Sequence, residues 1–157
     1  MAMRIDGFHH AAISVPNLNE AITWYGDLLG FVVEREWKIL AADMRAAYLT
    51  HGAMRFEVFE VGGAVCMDIS RRDPRADLKT HGHKHIGFSV SEYEACRAEI
   101  IERCIKIILD VGEVFGRAFF INDPFGNVIE FVESIGCDKA ASQAVEDNNE
   151  SYQGASG

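Results

Sequence analysis

The chain has 157 residues, 48% of them apolar and 25% charged, the make-up of one globular domain able to bury its own core. Fifteen Lys and Arg against 24 Asp and Glu leave a formal charge of −9, which argues against a broad nucleic-acid face, because such a face needs a basic stripe. No run approaches the length of about eighteen apolar residues that a membrane-spanning helix requires.

Residues 8–15 read as a strand that Pro16 and Asn17 break. Asn17 with Glu20 has the spacing of a helix-opening capping box. A helix then runs to about Leu29, with Leu18, Ile22, Tyr25 and Leu29 on one face and Gly30 as its stop. Trp24 and Tyr25 read as its core and edge. Three strands follow near 31–39, 43–50 and 54–61, rich in Val, Phe, Tyr and Ile. Residues 62–82 form a connector with a charged turn at Arg71-Arg72-Asp73-Pro74-Arg75 and room for a short strand at Ala64–Ile69.

The order then restarts. Residues 84–90 read as a strand, and Ser91 with Glu94 repeats the capping spacing. A helix carries Tyr93, Cys96, Ile100 and Cys104 on one face. Strands near 105–111, 116–122 and 127–133 come next, the last two joined by the turn Asp123-Pro124-Phe125-Gly126-Asn127. Residues 136–157 lose the apolar rhythm and read as a disordered tail. Cys66, Cys96, Cys104 and Cys137 form no C-x-x-C pair, so a thiolate zinc site is not expected. The first residues lack a secretory h-region, and the expected location is the cytoplasm.

The expected fold class is therefore α+β: two tandem βαβββ modules, 8–61 and 84–133, in a domain spanning 7–134. The repeat aligns residue by residue. His10-Ala-Ala-Ile-Ser-Val15 matches His85-Ile-Gly-Phe-Ser-Val90, and Phe56-Glu57 matches Ile129-Glu130. His10 precedes Glu57 by 47 positions, and His85 precedes Glu130 by 45. Glu57 and Glu130 each stand between apolar neighbours, where a carboxylate is costly unless paired or bound to a cation. Packing the modules about a pseudo-twofold would bring His10, Glu57, His85 and Glu130 to one divalent metal, with Ni, Co, Mn, Fe or Zn suited to two imidazoles and two carboxylates. Six-coordination would leave open positions for water or substrate oxygens. The offset to the strand-ending Val selects His10 over His9 and His85 over His83. His9, on the opposite strand face, and His83 are assigned supporting or solvent positions, His51 an exposed turn, and Glu60 and Glu133 the solvent side. Arg45, Arg55, Lys84 and Arg117 are local positive charges, read first as solvated strand residues and second as partners for an anionic substrate. Phe115, Gly116, Arg117 and Phe119 are read as packing residues, with a pocket beside Glu130 as the second reading. No phosphate loop, nucleophile elbow or H-E-x-x-H is present.

The stretch from His10 through Trp24-Tyr25-Gly26-Asp27-Leu28-Leu29-Gly30-Phe31, together with Lys84-His85-Ile-Gly-Phe-Ser-Val90 and Asp123-Pro-Phe-Gly-Asn-Val-Ile-Glu130-Phe131, resembles the vicinal oxygen chelate superfamily. That group includes glyoxalase I, methylmalonyl-CoA epimerase, fosfomycin-resistance proteins, bleomycin-binding proteins and extradiol dioxygenases. The resemblance implies metal ligands at His10, Glu57, His85 and Glu130, a small substrate chelating through vicinal oxygens, and a homodimer. A set with Glu57 is similar to glyoxalase I (lactoylglutathione lyase) and the epimerase. It implies an isomerase, epimerase or lyase in which Glu130 or Glu57 moves a proton at carbon beside a metal-polarised carbonyl. A ring-cleaving dioxygenase using Fe(II), needing only His10, His85 and Glu130, and a non-catalytic antibiotic-binding protein are the alternatives. The Asp-Pro-Phe-Gly-Asn turn departs from many epimerases, and no glutathione-binding pattern is present.

Overall fold

A computed structural model of the chain describes residues 3–112 and 116–134. The expectations for the tail at 136–157, Phe115 and Cys137 lie outside the described residues. The chain divides into two units, Met1–Asp68 with Pro124–Asn127, and Ile69–Asp123 with Val128–Gly157. The expected α+β architecture of two βαβββ modules is what the chain adopts, as two four-stranded mixed sheets.

In the first unit, β1 (Ala11–Ser14) is followed by α1 (Leu18–Leu29), β2 (Val32–Ile39), β3 (Met44–His51) and β4 (Met54–Val61), with sheet order β1-β4-β3-β2. β1 lies parallel to β4, and the remaining pairings are antiparallel. The parallel step requires a crossover, and α1 begins it. Asn17 caps α1 by accepting from the Glu20 N–H, as the sequence predicts. Glu60 adds what the sequence reading missed: its Oε2 accepts from the Leu18 N–H at 2.6 Å and lies 3.4 Å from Arg45. A carboxylate is favourable there because the first helical N–H groups are otherwise unpaired and carry the positive end of the dipole. Glu60 is thus a partly buried cap rather than a solvent-facing residue. Leu18, Ala21 and Tyr25 bury one face of α1. The Tyr25 ring meets Phe56 and Phe31 edge-on at 5.7 and 6.2 Å, and Phe31 stacks on Phe56 at 4.9 Å. Trp24 is only partly buried, so core and edge are reversed relative to expectation.

In the second unit, β5 (Ile86–Val90), α3 (Tyr93–Glu102), β6 (Ile107–Val111), β7 (Ala118–Asn122) and β8 (Val128–Glu133) repeat the plan in sheet order β5-β8-β7-β6. Asn122 pairs with Val128, so residues 123–127 close the expected hairpin. The connector holds a 3₁₀ turn at Ile69–Arg72 and a short helix α2 (Pro74–Asp77) capped by Asp73. No strand forms at Ala64–Ile69, where Val65 and Ile69 are exposed and no partner strand is present among the described residues. Asp77, only 2% exposed, is held by Arg71 Nε at 3.0 Å and Lys84 Nζ at 3.5 Å. A buried carboxylate persists only with such partners.

The two helices share an ending but not the residue that makes it. Gly30 (φ 68°) and Cys104 (φ 57°) both adopt left-handed backbone just past their helices. In the second, the Cys104 N–H bonds to Ile101 O and the Ile105 N–H to Ile100 O, the reversal that usually takes glycine. Cys104 is therefore an exposed turn residue and does not continue the helix face on which the sequence places it, whereas Tyr93 and Ile100 of that face are buried. Cys96 is partly buried, and burial raises its thiol pKa above the ordinary value. Replacing Cys104 with Gly is expected to raise unfolding stability by about 0.5–1 kcal/mol, because the Cβ penalty in this region disappears. An unchanged or lower denaturation midpoint for Cys104→Gly would show that the turn carries no such strain.

The expected Ser91/Glu94 capping box does not form. α3 has Glu92 at its cap position with no side-chain bond, and the Glu94 carboxylate is engaged by Arg117 instead. Arg117 also covers the Tyr93 ring at 4.3 Å and lies 3.6 Å from Glu133. Arg45, Arg55, Lys84 and Arg117 are all ion-paired, not simply solvated. Glu133 is correspondingly part-buried rather than turned to solvent.

Candidate metal centre

Strand alternation and register build two equivalent His–Glu pairs. In β4, Phe56 and Val58 are buried, which leaves Glu57 on the other face. Glu57 is in register with Ala12 of β1, and His10 lies two residues before Ala12, on the same side as Glu57. The His10 Nε2 and Glu57 Oε2 atoms meet at 3.0 Å. In β8, Ile129 and Phe131 are buried and Glu130 faces away from them. Glu130 is in register with Gly87, two residues after His85, and His85 Nε2 lies 3.0 Å from Glu130 Oε2. The same atoms meet at the same distance in both units.

The residue between each pair is small for a visible reason. A Cβ on Gly87 would sit 3.2 Å from Glu130 Oε2, tighter than ordinary contact. Ala12 is the counterpart in the first unit. Larger residues at these register positions would stand where the His and Glu side chains meet.

The surroundings of the two pairs differ. Tyr48 is in register with Glu57, and its ring lies 5.6 Å from His10 and 6.1 Å from His9. Trp37 tilts against Tyr48 at 4.8 Å. Arg55 reaches over the Tyr48 ring at 5.3 Å and pairs with Glu34. In the second unit, Phe120 is in register with Glu130 and meets the His85 ring edge-on at 5.3 Å. Ala118, Phe120 and Val128 are buried together, with Leu109, Val111 and Val132 against them. One carboxylate thus has aromatic and cationic neighbours and the other largely apolar ones.

His9 is not on the opposite face as the sequence suggests. The alternation that carries His10 to the side of Glu57 stops there: His9 lies one residue further from the first paired residue of β1, and its Nδ1 atom comes within 2.6 Å of His10 Nδ1. His51 is exposed as expected, with its Nδ1 3.1 Å from Gly30 O. His81 and His83 are exposed, and the His83 carbonyl receives Arg71.

The residues present fit a divalent cation. Each pair offers one imidazole nitrogen and one carboxylate oxygen, a hard-to-borderline donor set. Two donors about 2.1 Å from one ion at a right angle lie about 3.0 Å apart, the separation seen in both pairs. The four side chains are 16–32% exposed, so an ion in solvent can reach them. Among the described residues no group of three or more His, Cys, Asp or Glu is gathered; the structure brings the four together as two pairs, one in each unit. No helix is long and apolar enough to cross a membrane among the described residues.

The family model described as the Glyoxalase/Bleomycin resistance protein/Dioxygenase superfamily matches residues 7–131. Among solved structures, the chain is similar to a glyoxalase family protein from Enterococcus faecalis, with 24% identity, 83% of this chain and 100% of that one covered, and a TM-score of 0.71. It is also similar to the trypanothione-dependent glyoxalase I of Leishmania major, with 20% identity, coverages of 90% and 96% and a TM-score of 0.68. A genomically encoded fosfomycin resistance protein from Listeria monocytogenes matches with 13% identity, coverages of 82% and 94% and a TM-score of 0.63. At these identities the likeness establishes the fold.

Proposed function

The chain belongs to the Glyoxalase/Bleomycin resistance protein/Dioxygenase superfamily, and from that premise we propose that it is a divalent-metal-dependent isomerase, epimerase or lyase acting by proton transfer. The observation that carries the reading is the repeated pair: an imidazole and a carboxylate 3.0 Å apart at the same register position of both modules. In this reading His10, Glu57, His85 and Glu130 together hold one metal ion, of Ni, Co, Mn, Fe or Zn. When bound, the metal supplies positive charge that polarises a substrate carbonyl and makes the adjacent C–H acidic. The chain's own part is to bind a small substrate with vicinal oxygens, to orient that C–H, and to take and return its proton at a carboxylate. In this reading Glu57 and Glu130 are the two candidate bases. Tyr48 and Trp37 beside Glu57, and Phe120 beside Glu130, give the substrate an aromatic and apolar setting. The carboxylate at Glu57 favours proton transfer over oxygen chemistry, since two imidazoles and one carboxylate suffice for an Fe(II) oxygenase. A homodimer completes the proposal.

Metal analysis of protein purified without chelators tests it. Wild type is expected to hold one ion per chain, and His10→Ala, Glu57→Gln, His85→Ala and Glu130→Gln are each expected to lower that occupancy at least about tenfold. Equal occupancy in wild type and all four variants would sink the ligand set. Oxygen consumption with catechols by the iron-loaded protein would move the reading to a dioxygenase.

A further inference from the structure

Arg35 of β2 is exposed, and among the described residues it makes no hydrogen bond or ion pair. The acids beside it in the chain are engaged elsewhere. Glu34 takes two bonds from Arg55, at 2.7 Å from Nε and 2.6 Å from a terminal nitrogen, and Glu36 lies 3.8 Å from Arg45. Lys38 is in register with Arg45 and shares the α1 side of the sheet, where Arg45 meets Glu60.

Arg35 belongs to the other side. It is in register with Tyr48 of β3, and Tyr48 is in register with Glu57 of β4, the residue that meets His10. Residues in register on neighbouring strands project to one face. Trp37, two positions along from Arg35, marks that face by its contact with the Tyr48 ring at 4.8 Å. Arg35, Tyr48 and Glu57 therefore form a row across three strands. Neighbouring strands are about 4.8 Å apart, so the ends of the row stand about 10 Å apart along the sheet. The Tyr48 ring occupies the middle. An edge strand commonly carries charge to deter pairing with other chains, and Glu36 and Lys38 do so on the α1 side. Arg35 adds an unneutralised positive charge to the side on which His10 and Glu57 meet.

We infer that Arg35 is a specificity-determining residue: it takes a carboxylate that the substrate carries across a flat or apolar spacer from its vicinal oxygens. The inference rests on the proposed role of His10 and Glu57 as ligands of the metal that those oxygens chelate. A guanidinium offers parallel N–H groups to a carboxylate, and among the described residues no acid of the chain competes for those of Arg35. The formal charge of −9 opposes an anion at long range. At physiological salt that field is screened beyond about 8 Å, so a cation close to the site decides whether a bound anion is favoured. Arg55, the other arginine on this face, is neutralised by Glu34.

The test uses the full chain loaded with Ni²⁺ and two hydroxamates, which chelate through vicinal oxygens. The para-carboxy and para-carbamoyl derivatives of benzohydroxamate have the same shape and differ in the charge of the group across the ring. In calorimetric titration wild type is expected to bind the carboxylate about fivefold more tightly than the amide, the upper end for an exposed ion pair. Arg35→Gln is expected to abolish that preference, and Arg35→Lys to keep part of it. Lys38→Gln removes the same charge from the α1 side and is expected to keep the preference in full. A wild type without the preference, a preference that survives in Arg35→Gln, or an equal loss in Lys38→Gln overturns the inference and leaves the metal reading standing. Absence of Ni²⁺-dependent binding of either hydroxamate overturns the metal reading, and the inference with it.

Discussion

Glu57→Gln and Glu130→Gln are expected to slow exchange of a substrate α-proton with deuterated water by about 10²–10⁴-fold for whichever carboxylate is the base. The probes are small carbonyl compounds with a vicinal oxygen and an acidic C–H. Each rate must be divided by bound metal, because both residues are also proposed ligands. Gln keeps the size of the side chain and one acceptor oxygen but cannot take a proton. The base variant therefore loses exchange per bound ion, while the other loses exchange only in proportion to the ion it fails to hold. The settings of the two carboxylates make the comparison informative: Glu57 lies by Tyr48 and the His10 ring, and Glu130 lies by Phe120 and Gly87. Unchanged exchange per bound ion in both variants would remove the base assignment from this pair of residues.

Phe119→Ala is expected to lower unfolding stability by about 3–5 kcal/mol, the cost of removing a large ring from a closed core site. Phe119 is fully buried, stacks on Phe131 at 4.9 Å and meets the Tyr93 ring edge-on at 5.5 Å. It is in register with Phe131, and the next residues along, Phe120 and Glu130, face the other way as partners. A cavity under Phe131 would loosen the strand that sets Glu130, so the metal occupancy of this variant should fall along with its stability. Urea denaturation followed by fluorescence measures the first effect. A loss below about 1 kcal/mol would mean that the site collapses and refills, at the low end of what large-to-small changes cost.

Much of this molecule is legible in its residues because the information is local or repeated. Asn17 three residues before Glu20 and Gly30 after the last apolar position mark the two ends of α1, since capping and left-handed backbone are properties of a few adjacent residues. The His and Glu pairs are legible because a repeat carries the same register twice, and side-chain alternation turns register into facing. Tyr48 as the neighbour of Glu57 was also within reach: the tight turn between His51 and Met54 fixes their pairing and hence that of Tyr48 with Glu57. The same local rules mislead where a distant partner competes. Ser91 and Glu94 have the spacing of a cap, yet Arg117, just before β7, takes the Glu94 carboxylate, and no rule of spacing sees that. Glu60 reads as a wet-face carboxylate until the N-terminus of α1 arrives above it.

The sequence by itself therefore determined the two-module plan and singled out the four candidate ligands. Tertiary structure alone decided what stands behind each pair. Behind His10 it gathers Glu34 of β2, Arg55 of β4 and His9, segments far apart in the chain. Such contacts depend on which donors and acceptors are brought within about 3 Å of each other, and it is folding that sets those neighbours.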